Sequence, residues 1–251
     1  MKFLFAIPLL IGFVSYSGIE WNYLNQEEEK NKVVLELFTS EGCSSCPPAD
    51  ELLSQYSEQT KAGKNNIIAL SFHVHYWDRL GWSDPYSDQK YSDRQRAYGK
   101  KLNIRKVFTP QMIVNGNYSF VGSDKEEADK AIAKAKSEPM STTVSISEIM
   151  IEDNYCQFKY RLSESSKKTT LNFALTENGL SQKVLRGENK NKLLKHDNVV
   201  RAFKTVESPK KSAEVFLRLP NDGDLSKMRI VVYVQQTEDL KIIGAASKKV
   251  K

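Results

Sequence analysis

The tetrapeptide Cys43-Ser44-Ser45-Cys46 constrains this chain more than any other feature, because it stands between a compact apolar run and a segment of helical spacing. Val33, Val34, Leu35, Leu37 and Phe38 read as a strand buried on both faces. Leu52, Leu53 and Tyr56 then recur at helical spacing over residues 48–60. Zinc binding ordinarily needs a second C-x-x-C pair, which the sequence lacks, so two readings stay open: a redox pair, or an inert staple closing a turn. Pro47 and Pro48 remove two N–H groups that would otherwise face a thiolate, and proline disfavours helical backbone in the residue before it. Cys46 is therefore expected in the turn ahead of the helix, and the nucleophile of the pair, Cys43, is expected to have ordinary acidity.

The following elements can be read in order. Residues 67–75 form a second apolar run, and a polar helix is expected from Ser83-Asp84-Pro85 through Tyr91, Arg94 and Tyr98 to residue 102. Thr109-Pro110 opens a strand over 111–114, Asn115-Gly116-Asn117 makes a hairpin turn, and 118–121 returns. Ser123 and Glu126 form a capping box ahead of Ala128, Ala131, Ile132 and Ala135, and that helix ends before Pro139.

Beyond residue 141 the period becomes two. Val144 and Ile146 alternate with polar residues, Cys156, Phe158, Tyr160 and Leu162 share a face, and Leu171, Phe173 and Leu175 repeat the pattern. Similar segments recur at 199–206, 213–219 and 228–235, with a short one near Ile242. This predicts an α/β domain over 32–139 followed by an all-β antiparallel sandwich-like domain over 140–251.

With 40% hydrophobic and 27% charged residues the chain can bury a core, so disorder is excluded. The net charge of +6 is spread along the chain without a nucleic-acid-binding motif, so no nucleic-acid partner is expected. Residues 1–17 read as a signal peptide, because the apolar stretch is shorter than the roughly 20 residues a membrane span takes. An uncleaved anchor is the alternative. Residues 18–31 read as a polar tether. Either way the remainder is expected outside the cytoplasm, periplasmic or secreted, where disulfides persist.

The order of elements, with C-x-x-C after the first strand and Thr109-Pro110 opening the third, resembles the thioredoxin fold. That resemblance implies a cis Thr109-Pro110 bond facing the cysteines. A longer resemblance rests on Glu36 to Asp50, Ser71 to Asp78, Leu80 to Pro85, Arg94-Gln95, the Thr109 segment and Val121-Gly122-Ser123. With Arg186-Gly187-Glu188-Asn189 and His196 to Arg201, these segments are similar to the secreted bacterial thioredoxin-like proteins of domain-of-unknown-function family 1223. The family commonly has aspartate where this chain has His75.

The leading expectation is an extracytoplasmic thiol-disulfide oxidoreductase acting on a protein thiol or disulfide partner. In the resembled fold Cys43 is the exposed member, so it would attack or be attacked and Cys46 would resolve. Thr109 and Pro110 would shape a docking edge, and Trp77 and Trp82 on an aromatic loop would form a groove or lock that loop down. No cofactor is implied. The alternatives are a binding or scaffold module with a structural disulfide, associated with the envelope, and a metal-handling protein using Cys43, Cys46, His73 and His75, the two histidines sharing a strand face. Cys156 reads as a buried inert thiol, and His196 with Asp197 lacks the nucleophile a catalytic dyad needs.

Overall fold

A computed structural model describes residues 32–251. Val33–Thr39 forms β1, whose alternation sends Val33, Leu35 and Leu37 into one core cluster and Val34 and Phe38 into another. Pro47–Lys61 forms α1, with its prolines in the opening positions, where the missing N–H groups have no intrahelical partner to lose. Ile67–His73 forms β2, Gln89–Lys101 α2, Gln111–Val114 β3, Tyr118–Val121 β4 and Lys125–Lys136 α3. β2 runs parallel to β1, β3 runs antiparallel to it, and β4 closes a hairpin on β3. Asn115 and Gly116 in that turn take the expected positive φ, 45° and 73°.

The second half supplies β5 (Val144–Glu152), β6 (Tyr155–Leu162), β7 (Thr169–Glu177), β8 (Leu180–Lys183), β9 (Leu193–His196), β10 (Val199–Glu207), β11 (Ser212–Arg218), β12 (Met228–Gln236) and β13 (Ile242–Lys249). The short β8–β9 hairpin was not anticipated from the sequence, since four residues carry too little alternation to register.

The expected α/β thioredoxin-like domain followed by an all-β antiparallel sandwich-like domain is not what the chain adopts. One mixed eight-stranded sheet, ordered β13-β12-β7-β10-β2-β1-β3-β4, runs through both halves. The join is narrow: Val199 of β10 pairs in parallel with Ser71 of β2, and Ser71 N–H donates to the Asn198 carbonyl at 2.8 Å. An open edge on β2 would leave backbone groups unpaired, and β10 covers it at Ser71. A single core cluster draws Phe38, Phe72 and Tyr98 from the first half and Ala174, Val231 and Tyr233 from the second. Inside it, buried Glu36 accepts from Arg94 at 2.7 Å and from Tyr233 Oη at 2.6 Å. The smaller sheet β11-β6-β5 packs on the β7–β12 part of the large one through Phe158, Phe173 and Val232.

Several boundaries also move. β2 stops at His73, and a 3₁₀ turn, His75–Leu80, follows. α2 starts at Gln89, capped by Asp88, and not near Ser83-Asp84-Pro85, because the Asp84 carboxylate is turned inward to other partners. Asp124, one residue after the expected Ser123, caps α3. The expected signal peptide and tether lie outside the described residues. Among the described residues no helix is long and apolar enough to cross a membrane.

Candidate functional site

The strand β1 delivers the chain into a tight turn, Cys43 N–H donating to the Ser40 carbonyl at 3.1 Å and Cys46 N–H to the Cys43 carbonyl at 3.2 Å. The two cysteines form a disulfide with Cα atoms 5.5 Å apart. Cys46 caps α1 from outside it, as expected, yet its backbone is helical (φ −78°, ψ −38°), against the preference a following proline imposes. Its carbonyl accepts from Ala49 and Asp50, which holds it there. Ser44 and Ser45 are exposed, whereas Cys43 is 1% and Cys46 0% exposed. The sulfurs therefore lie just beneath the surface, and Cys43 does not protrude.

The loop tryptophans and the Thr109–Pro110 segment have the following contacts. Thr109–Pro110 is a cis peptide, and Thr109 Oγ1 accepts from the Trp77 indole at 2.7 Å. Trp77 also borders Gly42, where a side-chain carbon would meet Trp77 Cβ at 3.6 Å. A carbon added to Gly122 would meet Ala49 at 3.2 Å and Pro110 at 3.3 Å, which places Pro110 beside the start of α1. The Trp82 indole donates to Glu41 Oε2 at 2.8 Å. Both tryptophans thus keep part of each ring exposed and spend their polar edge anchoring the loop.

His73 and His75 separate. His73 is fully buried, with Nδ1 2.7 Å from Asp84 Oδ2, while His75 is exposed on the 3₁₀ turn beside Asp78. The strand ends between them, so they do not share a face, and the disulfide occupies both sulfurs. Among the described residues no group of three or more His, Cys, Asp or Glu is placed to hold a metal.

Behind the disulfide lies an ionisable cluster instead. Asp50, one helical turn after Cys46, accepts from Thr39 Oγ1 at 3.2 Å and has Oδ2 3.9 Å from His196 Nδ1. His196 Nε2 is 3.2 Å from Glu41 Oε1, and the rings of His196 and His73 lie 4.9 Å apart, edge to face. Asp84 Oδ2 also accepts from Glu41 N–H at 2.9 Å. Burial raises the Asp50 pKa, and the nearby histidines offset this only in part. Burial alone would lower His73, but Asp84 beside it raises it overall. Asp84 is held low, the charge and hydrogen bond of His73 outweighing burial. Three atoms here have no hydrogen-bond partner: Asp50 Oδ1, His73 Nε2 and His196 Nδ1.

The loop between β8 and β9 closes the site from above. Fully buried Asn189 donates from Nδ2 to the carbonyls of Glu41 and Cys43, each at 2.9 Å. Glu188 Oε2 accepts from Ser44 N–H at 2.9 Å, and the Ser44 hydroxyl together with that N–H holds its carboxyl below the usual range.

A family model described as protein of unknown function (DUF1223) matches residues 34–235, a span containing the disulfide turn, the ionisable cluster and the cap. The chain belongs to this family. Among solved structures it is similar to protein AGR_C_4864 from Agrobacterium tumefaciens, at 26% identity and a TM-score of 0.65, covering 87% of this chain and 94% of that one. Two structures of β-glucosidase from Kluyveromyces marxianus, one of them with glucose, also align. The glucose complex is 15% identical with a TM-score of 0.20, over 45% of this chain and 14% of that one. The other is 14% identical with a TM-score of 0.23, over 96% and 34%. At those scores the likeness carries no argument. No curated protein matches.

In this DUF1223 protein the sequence reading located the turn and the proline but missed Glu41, Asp50, Glu188 and Asn189 as parts of the site. It also set His196 with Asp197 aside for want of a nucleophile; in the fold Asp197 accepts from Gly179 N–H while His196 turns to Glu41. The available signal was the Arg186 to Asn189 and His196 to Arg201 segments, two of those that carried the family resemblance.

Proposed function

We propose that this DUF1223 protein exchanges electrons with a protein partner through Cys43 and Cys46. The observation that carries this is the ionisable cluster sealed behind the disulfide. A staple needs no acid, whereas burying carboxyls and imidazoles is costly, and such groups gather where protons move. In one direction, a partner thiolate attacks Cys43 Sγ, the Cys43–Cys46 bond breaks, and Cys46 leaves as a thiolate that takes a proton from Asp50. A second partner thiolate then displaces Cys43, so the partner dithiol becomes a disulfide and two electrons rest on the pair. The reverse order oxidises the dithiol pair and reduces the partner. Asn189 and Glu188 must release the turn before a partner reaches Cys43. A disulfide supports residence in an oxidising compartment.

The nearly complete burial of both cysteines favours a second reading, a permanent structural disulfide. One measurement separates them. A reduction potential of about −120 to −270 mV, with a mixed disulfide trapped by Cys46→Ser, supports exchange, and a potential below about −300 mV with nothing trapped overturns it.

A further inference from the structure

The site above lies at one end of the β1–β2 pair, and a different cavity opens at the other. β10 begins at Val199, level with Ser71, so Ile67, Ile68 and Ala69 of β2 have no β10 partner alongside them. A cavity of about 330 Å³ fills that wedge, walled by β2, α1, β12 and β13. Its lining carries Lys32, Lys61, Arg229 and Lys249, and among the described residues no aspartate or glutamate lines it.

Lys61 is paired with Glu58 at 2.6 Å, on α1 outside the lining. Arg229 is different. Partly buried on β12, it gives Nε to Ser247 Oγ at 2.9 Å and has no carboxylate within ion-pair distance among the described residues. Burial lowers its pKa, with no acid opposing the effect. A guanidinium removed from water without a counter-charge is unfavourable unless something supplies one.

A second, independent feature points the same way. Asn198, 4% exposed, lines the cavity, and its Nδ2 has no partner, although Ser57 Oγ donates to its Oδ1 at 3.2 Å. A buried amide donor left open in the same cavity as a partly desolvated guanidinium suits an oxygen anion, since a guanidinium matches phosphate and carboxylate oxygens in pairs.

We propose that this wedge is a binding site for a small solute carrying a phosphate or carboxylate group, held by Arg229 and Asn198 with Lys32 and Lys249 at its rim. The volume admits a compact metabolite and excludes a polymer chain. The site is independent of the thiol chemistry.

The test uses the full chain with inorganic phosphate and citrate as probes, titrated at constant ionic strength against sodium chloride, and followed by thermal unfolding and calorimetry. One or both probes should raise the melting temperature saturably while chloride does not, and the stronger of the two names the ligand group. Arg229→Gln and the rim change Lys249→Gln should weaken that binding, by about tenfold and about threefold, while Lys106→Gln on a distant exposed loop leaves it unchanged. Because Lys249 is exposed, its variant stays informative if Arg229→Gln fails to fold. Equal responses to probes and chloride, or unaltered binding in a folded Arg229→Gln or Lys249→Gln, overturn the proposal.

Discussion

Asn189 holds the turn of Cys43 from 146 residues further along the chain, its Nδ2 shared at 2.9 Å between the carbonyls of Cys43 and Glu41. Loss of both bonds leaves two buried acceptors unsatisfied and frees the cap. Asn189→Ala should therefore reduce by dithiothreitol about ten times faster than the parent, at a stability cost of about 1–3 kcal/mol. Stopped thiol-labelling measures the rate. An unchanged rate would mean that the cap does not control access.

The cluster behind the disulfide should give stability a definite pH slope. His73 is raised above 6.5 and faces Asp84, Asp50, Glu41 and the His196 ring, so its stabilisation is complete below 6.5 and fades as pH rises through its folded value. Asp50, raised above 3.8, acts in the same sense, while the Asp84 contribution is present above 3.8 and is lost only in stronger acid. Urea unfolding should show the protein less stable at pH 9 than at pH 5. His73→Gln should cost about 3–5 kcal/mol at pH 5, where the pair is charged, and less at pH 9. An equal loss at both values would show that His73 is not charged in the fold.

Arg94 is enclosed by aromatic rings of the shared core, lying 5.0 to 5.8 Å from the ring centres of Phe72, Tyr98, Phe203 and Tyr233. Arg94→Met strands Glu36, and about 3–5 kcal/mol should be lost by denaturant titration. Adding Glu36→Gln to it should recover part of that loss. A double variant as unstable as the sum of the two single changes would refute the pairing.

At Gly116 a side-chain carbon would lie 1.9 Å from the Leu240 carbonyl oxygen, on a backbone already at φ 73°. Gly116→Ala should cost at least about 2 kcal/mol, far more than an ordinary turn substitution. A loss under about 1 kcal/mol would place Leu240 elsewhere.

Cys156 has its thiol pushed up to about 11 by burial. Iodoacetamide at pH 8 should label no cysteine in the native oxidised protein, one after denaturation, and three once reductant is added as well. Rapid native labelling would contradict its burial among Phe158 and Tyr160.

Much of this was legible in the sequence where signals are local. The Asn115-Gly116 turn, the apolar face of α3 and the period-two strands each rest on neighbours within a few residues. The merging of the two halves was not legible, because β1 and β2 are buried throughout and so carry no alternation that fixes which edge meets which. Antiparallel strands on one side of Pro139 read as a sandwich by themselves, and the single pairing of Val199 with Ser71 that revises this leaves no mark on either segment. The cluster was hidden for a similar reason: Glu41 and His196 are 155 residues apart, and nothing near either names the other.

That single parallel pairing also governs how the protein can be made. The first half leaves the ribosome with the β2 edge bare, and its natural cover is synthesised only after β5 to β9 have followed. Until then Ser71 and its neighbours offer a template to any other nascent chain, and a product truncated near residue 139 keeps that edge for good. Fragments that end there are therefore expected to seed aggregation rather than to act as smaller versions of the protein, so a redesign should treat the whole chain as the unit that is expressed.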